Sequence, residues 1–352
     1  MADRLPDAGS WTKKRSIMGH RGATCFCIML AVTLGSTSLL AQNVITGAGY
    51  LSPAPVSVAP GQIITLFVDG VGKSVTQPVR ASGGSWPTTL AGISVTLRQF
   101  NEQAVPILEV RRLSSCPTGR LPDSKPSCAT LAAITVQIPY ELVPLCPLCL
   151  TPVAFPPPWL YVTESNQTGS AFELNPLADQ IHILTSCDVI LSRFGDTPPR
   201  NTTGLPCPPM VTHPDGTLVF AGQPSQVGEH LTAWAVGLGA TDPPAVTGQP
   251  ASNPLPIAAH LDFDFSFRVN ALPLKPQPNS NPVALYVGLS QGFVGLYQIN
   301  FTTPSPPLGT PACTASGTFP PSANAVQSNL TVSFGDAFSF DGASICIAVS
   351  KN

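Results

Sequence analysis

Alternation of apolar and polar side chains with a period of two is the dominant pattern along the chain. It is clearest over residues 261–269, where Leu, three Phe and Val alternate with two Asp, Ser and Arg. The same alternation runs through residues 93–97, 134–138 and 330–334. Successive side chains of a β-strand point to opposite faces of its sheet, so the pattern predicts strands with one buried face.

Proline and glycine divide the chain into short segments. Of its 352 residues, 40 are proline and 29 are glycine. Because proline lacks a backbone N–H and clashes with the preceding helical turn, this density excludes long helices, whereas short strands joined by turns tolerate it. We therefore predict an all-β protein. Further buried strands are predicted at four short apolar runs, residues 160–162, 181–184, 283–287 and 345–349.

The chain contains an internal repeat. Residues 61–72 (GQIITLFVDGVG) align without a gap with residues 228–239 (GEHLTAWAVGLG), and the glycines at the strand ends suit tight turns with positive φ. Trp234 falls at a repeated position and is predicted to be buried in a core. Each segment is followed by a strand that carries a glutamine, Gln137 in one half and Gln298 in the other, and we predict that these two glutamines are equivalent.

The repeat predicts two related β-sandwich lobes. We place the first lobe at residues 42–194 and the second at residues 216–352. Residues 195–215, rich in Pro, Thr and Gly, are predicted to be a linker between them.

The N-terminal residues 1–41 have the pattern of a secretory signal peptide. Basic side chains precede an apolar run at residues 25–40, and Ala41 offers a small residue for cleavage. The run is shorter than the about 20 residues of a membrane-spanning helix, which favours cleavage over a retained anchor. Met18 is an alternative start. We expect a mature chain that is secreted or held at the cell surface and has no membrane span.

Cysteines predict disulfide bonds. Ten are present, and two of them, Cys25 and Cys27, lie in the predicted signal peptide. An even number of the remainder in an exported chain suggests disulfides. The C-x-x-C spacing of Cys146 and Cys149 also fits a redox motif or half a zinc site, but flanking prolines and the lack of a second ligand pair favour a disulfide. Connectivity stays open, and nearest-neighbour pairing predicts Cys116–Cys128, Cys146–Cys149, Cys187–Cys207 and Cys313–Cys346.

The low charge of the chain restricts its partners. Charged residues make up 10% of the sequence, against about 25% in an average domain, and the net charge is −2. Nucleic acid binding needs a basic field, which this composition does not supply.

No motif predicts catalytic chemistry. The G-x-S-x-G motif at residues 288–292 matches a nucleophile elbow, but a strand-like segment follows it and the last histidine, His260, precedes the serine. Asp262 and Asp264 share one strand face and are predicted to be solvent-exposed. We predict no catalytic residue, cofactor or metal site, since metal-ligand spacing is absent among His182, His213, His230 and His260 and the acidic turn at Asp336 and Asp341 lacks a calcium-loop pattern.

Tryptophan supplies the candidate ligand contacts. Trp86 and Trp159 each lie beside a proline in a loop-like context, and we predict that both face a ligand, the alternative being a small core under a loop. The expected function is a non-catalytic extracellular or cell-surface module that binds or adheres to a protein or a glycan. A structural accessory subunit of an envelope assembly and a secreted hydrolase of unrecognised chemistry are the alternatives.

Several short sequence motifs occur in a fixed order along most of residues 45–304. They are APG at 59–61 with ITLF at 64–67, WPTTLAGISVTL at 86–97, VQIP at 136–139, HPDGT at 213–217, the segment 228–239, VTG at 246–248, and YVG at 286–288 with GLYQIN at 295–300. As a set they resemble a paralogous family of uncharacterised secreted proteins that is abundant in Acidobacteria of the Solibacter type. The resemblance implies export and β architecture but no activity. The segments around residues 116–128 and 146–149 depart from it as insertions.

The glycine-ended strands are also similar to immunoglobulin-like modules of the IPT/TIG kind. This resemblance implies that the fold is all-β, with two tandem immunoglobulin-like β-sandwich lobes after the signal peptide.

Overall fold

The computed structural model describes residues 44–48, 56–113, 131–144, 155–186, 188, 207–278, 284–314, 324–336 and 339–349. Every helix or strand element in these ranges is a strand, so the prediction of an all-β protein is confirmed. The predicted signal peptide and residues 195–206 of the predicted linker lie outside them. Among the described residues, no helix has the length and apolar character needed to cross a bilayer.

The first half of the chain forms two sheets. Its strands are β1 (Val44–Ala48), β2 (Val56–Val58), β3 (Ile63–Asp69), β4 (Val79–Arg80), β5 (Thr89–Leu90), β6 (Ile93–Arg98), β7 (Glu102–Val105), β8 (Ile107–Arg112), β9 (Leu131–Gln137), β10 (Trp159–Glu164), β11 (Gln167–Thr168) and β12 (Phe172–Pro176). Sheet 1 has the order β1-β3-β9-β8-β4, and sheet 2 has the order β2-β12-β10-β6-β5, with β7 on β6 and β11 on β10.

Sheets 1 and 2 pack on a shared apolar core. Sheet 1 contributes side chains such as Leu66 and Ile134, and sheet 2 contributes Val95 and Leu160, all fully buried. In β6 burial alternates as the sequence predicts, with every second side chain inside. Burying one Val, Leu or Ile side chain completely stabilises the fold by about 1.5–3 kcal/mol, so this core is a main source of stability.

Strand β9 is buried on both faces, unlike the one-sided strand predicted at residues 134–138. The polar side chain of Thr135 is accommodated because its hydroxyl bonds that of Thr65 on the neighbouring β3, at 3.0 Å. A buried hydroxyl that keeps a hydrogen-bond partner avoids most of its desolvation cost. The side chains that alternate along β9 therefore lie in two different buried environments, rather than in the core on one face and in solvent on the other.

The second half of the chain forms two further sheets. Its strands are β13 (His182–Ile183), β14 (Val211–Thr212), β15 (His230–Val236), β16 (Leu255–Pro256), β17 (Asp262–Ser266), β18 (Tyr286–Leu289), β19 (Tyr297–Thr302), β20 (Leu330–Gly335) and β21 (Phe340–Ile345). Sheet 3 has the order β13-β15-β19-β18-β16 with β14 on β15, and sheet 4 has the order β17-β20-β21. β13 lies within residues 42–194 but pairs with β15.

The core between sheets 3 and 4 is rich in aromatic side chains. Phe263 of β17 stacks on Phe334 of β20 with ring centroids 5.0 Å apart, and Phe301 of β19 packs against both rings. Such ring pairs add about 0.5–1.5 kcal/mol to the stabilisation from buried area. The alternating Phe residues predicted at 261–269 are therefore core residues, although the strand itself ends at Ser266.

One sheet of each half, sheet 1 and sheet 3, follows a similar strand order. In sheet 1, β3 pairs with β9, β9 with β8 and β8 with β4; in sheet 3, β15 pairs with β19, β19 with β18 and β18 with β16. The aligned segments also turn alike at their glycines. All six glycines in them have positive φ: Gly61, Gly70, Gly72, Gly228, Gly237 and Gly239.

Main-chain hydrogen bonds repeat where the aligned strands begin. The Gly61 N–H donates to the Ile138 carbonyl at 3.0 Å, and the Gly228 N–H donates to the Thr303 carbonyl at 2.9 Å. The start of the aligned strand is therefore held by an equivalent main-chain hydrogen bond in each half.

The predicted equivalence of the two glutamines is wrong. Gln137 lies opposite Ile63, whereas Gln298 lies opposite Trp234, and these partners occupy different positions of the repeat. A short Gln-Ile motif does not set the pairing register of a strand, because the register follows from the whole buried face of that strand.

Trp234 does not lie in the sandwich core, contrary to the prediction. Its neighbours Ala233 and Ala235 point into the core, so Trp234 occupies the other face of β15 and is half-buried. The aligned Phe67 likewise belongs to a separate small cluster on the outer side of β3. The predicted strand at residues 345–349 is also wrong, because the last strand, β21, ends at Ile345.

One predicted disulfide is present in the described part of the chain. Cys313 and Cys346 are bonded, with Cα atoms 6.0 Å apart. Cys207 is disulfide-bonded as well, and its predicted partner lies outside the described residues. The other predicted disulfide cysteines also lie outside them: Cys116, Cys128, Cys146, Cys149 and Cys187.

Candidate functional site

The G-x-S-x-G motif lies in a strand–turn–strand context. Gly288 and Leu289 end β18, and the Ser290 N–H donates to the Leu296 carbonyl at 2.8 Å. Ser290 is 5% exposed. A nucleophile elbow needs an exposed serine between a strand and a helix, so the local geometry of this motif differs from an elbow.

His182 is held between two carboxylates. Its Nε2 lies 3.0 Å from Asp188 Oδ1 and its Nδ1 lies 3.4 Å from Asp341 Oδ2. Burial lowers the pKa of His182, but the hydrogen bonds and charges of Asp188 and Asp341 outweigh it and raise the pKa to about 9. With its pKa raised to about 9, the ring is protonated at neutral pH and forms a cationic link between β13 and β21.

Of the other described histidines, His213 and His260 also lie beside carboxylates. His213 Nδ1 lies 2.6 Å from Glu229 Oε1, and its Nε2 lies 3.2 Å from the Gln223 carbonyl. His260 Nε2 lies 3.3 Å from Asp262 Oδ1, so Asp262 is paired and not simply solvated as predicted. His230 is exposed at the start of β15. Within the described ranges, no cluster of three or more His, Cys, Asp or Glu side chains fits a metal ion.

A buried carboxyl group lies beside the acidic turn. Asp179 accepts a hydrogen bond from the Ser339 hydroxyl, and Asp336 is close enough to act on it. Burial is the main reason that the pKa of Asp179 is raised to about 7, with Asp336 raising it further against the lowering effect of Ser339. Asp336 Oδ1 also accepts the Ser339 N–H at 3.1 Å, so these acidic groups order the turn before β21.

The two halves meet in a polar junction around Gly248. The Gly248 N–H donates to the side-chain oxygen of Gln137 at 2.7 Å, and its carbonyl accepts the Trp86 N–H at 2.9 Å. One residue earlier, the Thr247 hydroxyl accepts the Tyr140 N–H at 2.9 Å. Gln137 is fully buried, so its hydrogen bond to Gly248 is shielded from water and helps to fix one half on the other.

The predicted ligand-facing Trp86 lies at this junction. Trp86 and Trp234 are both half-buried and pack on an apolar cluster of Ile63, Leu184 and Val236. Ile63 belongs to the first half of the chain and the other two cluster residues to the second. Trp86 therefore joins the halves, and most of its side chain is committed to internal packing.

The other predicted ligand-facing residue, Trp159, lies on the outer face of sheet 2 and is partly exposed. Leu160 and Val162 of β10 point into the core, so Trp159, Tyr161 and Thr163 point outward. Trp159 and Tyr161 are partly exposed neighbours on the same strand, and by strand geometry their Cα atoms lie about 6.6 Å apart.

Polar side chains surround this aromatic pair in rows across sheet 2. The first row contains Glu102, Arg98, Trp159 and Glu173, the second contains Ala104, Thr96 and Tyr161, and the third contains Ser94, Thr163 and Thr168. We call these outward side chains the Trp159 face. Directly opposed side chains lie about 4.5–5.5 Å apart at Cβ, so the aromatic and polar groups form one continuous surface.

The aromatic character continues at one end of the Trp159 face. Phe100, at the tip of the β6–β7 hairpin, is 54% exposed and packs edge-on against Phe155 with ring centroids 5.7 Å apart. Phe155 precedes β10, which runs antiparallel to β6, so both rings lie beyond the row of Trp159.

Sequence reasoning singled out Trp159 but missed Tyr161, Arg98 and the threonines. A signal was present, because residues 159–163 alternate Trp, Leu, Tyr, Val and Thr in the same way as the recognised strands. Treating residues 160–162 as a continuous buried run concealed it.

Comparison with known proteins adds no relative. No protein-family model matches the chain, and no curated protein sequence matches it.

Proposed function

We propose that this protein is an exported, non-catalytic binding module that holds its ligand on the Trp159 face. The proposal includes the signal peptide at residues 1–41 and the resemblance to secreted Solibacter-type proteins as its basis for export. The observation that carries the binding role is a pair of adjacent aromatic side chains, Trp159 and Tyr161, on the outer side of a sheet whose inner side is fully packed.

A partly exposed tryptophan on a rigid sheet suits binding. Aromatic rings offer large contact areas with few rotatable bonds, so little conformational entropy is lost when a ligand contacts them. The packed core below fixes the backbone of β10, which keeps the two rings in a constant arrangement. The histidine and aspartate side chains described above form ion pairs between strands and hydrogen bonds within turns, which supports a binding role over a catalytic one.

Sedimentation with isolated cell envelopes tests this function. Purified mature protein is mixed with envelopes from its own cells, and the bound fraction is measured for the native protein and for Trp159→Ala. We expect saturable binding that weakens about tenfold or more in the variant, because hot-spot aromatics contribute 1–2 kcal/mol or more. Phe293→Ala is the matched control, since this ring is 53% exposed but lies in the second half of the chain.

Two results contradict the proposal. One is the absence of saturable binding by the native protein. The other is equal binding by the native protein and Trp159→Ala while the variant keeps its thermal unfolding midpoint.

A further inference from the structure

We infer that the ligand of the Trp159 face is an uncharged polysaccharide chain that lies across the sheet and stacks on Trp159 and Tyr161. This inference rests on the proposed binding function and names the chemical class of its ligand.

The composition of the face matches the surface of a sugar ring. A pyranose has a C–H face that is apolar and a rim of hydroxyl groups that donate and accept hydrogen bonds. The face offers aromatic rings for the first and a surrounding set of hydroxyl groups for the second, from Ser94, Thr96, Thr163 and Thr168. The hydroxyls of Thr163 and Thr168 lie 3.0 Å apart in an exposed position.

The arrangement favours an extended chain over a single sugar. Trp159 and Tyr161 follow one another along a strand rather than converging on a point, and the Phe100–Phe155 pair continues beyond them. A linear ligand can contact successive rings of such a row, and each contact adds to the binding free energy.

The charge of the face favours a neutral ligand. Arg98 lies opposite Glu102 on one side and beside Trp159, while Glu173 lies opposite Trp159 on the other side. One arginine and two glutamates in this row give no positive field, so the face does not attract a polyanionic glycan, an anionic lipid or a nucleic acid.

A protein partner is the competing class. Protein hot spots are enriched in Trp, Tyr and Arg, but they sit in desolvated pockets ringed by other contacts. The partly exposed aromatic pair here is bordered instead by hydroxyl and charged side chains on the outer face of a sheet, which favours a hydrated, hydroxyl-rich ligand.

Chemical treatment of the envelopes distinguishes the two classes. One sample is oxidised with periodate, which cleaves the vicinal diols of sugar rings, and another is digested with a broad protease before the protein is added. We expect periodate to abolish binding and protease to leave it unchanged. Binding should also change little between low and high salt, because no ion pair carries it.

Variants locate the contact on the same envelopes. Trp159→Ala and Tyr161→Ala should each weaken binding about tenfold, Trp159→Phe should recover part of the loss, and Phe293→Ala should bind as the native protein does. Binding lost to protease but kept after periodate overturns the polysaccharide and identifies a protein partner, while the proposed function survives. Periodate-sensitive binding that neither variant weakens overturns this face as its site.

Discussion

Replacing His182 with glutamine tests the cationic link that joins β13 to β21. In the native protein the ring bridges Asp188 and Asp341, and Asp341 also accepts the Ile183 N–H at 2.8 Å. Glutamine has a similar reach but carries no charge at any pH. The variant therefore removes the cation and leaves two carboxylates with weaker partners.

The size of the effect follows from the pKa of His182. The ordinary value is 6.5 and the folded value is about 9, so the folded state favours the protonated ring. Such a shift corresponds to about 3 kcal/mol, and we expect about 2 kcal/mol because the side chain is 25% exposed and partly screened. The stabilisation is complete below pH 6.5 and is lost as the pH rises through about 9.

Urea unfolding of His182→Gln and the native protein at pH 6 and pH 10 measures this effect. We expect a difference of about 2 kcal/mol in the free energy of unfolding at pH 6 and less than about 1 kcal/mol at pH 10. His230→Gln is the matched control, because this histidine is exposed, and it should change stability by less than about 0.5 kcal/mol at both values.

A difference that stays constant between pH 6 and pH 10 would refute the reasoning. It would mean that His182 stabilises the fold through packing alone and that its ion pairs contribute nothing net. An unchanged stability at pH 6 would contradict the cationic link altogether.

Three further substitutions test other parts of the structure. Asp179→Asn should unfold like the native protein at pH 3, below the ordinary carboxyl pKa of 3.8, and should be about 2 kcal/mol more stable at pH 9, above the folded pKa of about 7, because the folded state opposes ionisation of this carboxyl. Equal pH profiles in urea contradict this. Gly237→Ala should lower the free energy of unfolding by about 3 kcal/mol or more, because the new Cβ collides with a backbone carbonyl at positive φ. Gly92→Ala, with positive φ but open space, should lower it by only about 1 kcal/mol. Similar losses in the thermal melts of the two variants refute the collision. Replacing Cys313 and Cys346 together by serine should lower the free energy of unfolding by about 3–4 kcal/mol, because the disulfide no longer closes a 33-residue loop in the unfolded chain. A smaller loss under non-reducing conditions means that the unfolded chain is already compact.

The predictions that succeeded depend on interactions within one strand or one turn. Alternation at residues 93–97 reflects the pleat of β6, and the positive φ of Gly61 and Gly228 reflects a turn that L-residues with a Cβ avoid. The Cys313–Cys346 bond is an exception, since it joins residues 33 apart and was predicted by nearest-neighbour pairing alone.

The predictions that failed depend on which parts of the chain meet. The predictions for Trp234 and Gln298 relied on short sequence motifs, but the register between β15 and β19 is set by the entire buried face of both strands. The strand predicted at residues 345–349 was wrong because β20 pairs with residues 340–345, and the apolar–polar alternation of those residues is weak. No short window of sequence contains these contacts.

The candidate site shows the same division. The two unlike faces of β10 can be read from the sequence alone, because its residues alternate between aromatic or hydroxyl and aliphatic side chains. The tertiary structure was needed to show that Trp159 lies on the outer face of sheet 2, whereas Trp86 packs at the junction of the halves. The physical reason is that burial of a face depends on segments distant in the chain, whereas the period of two depends only on the strand itself.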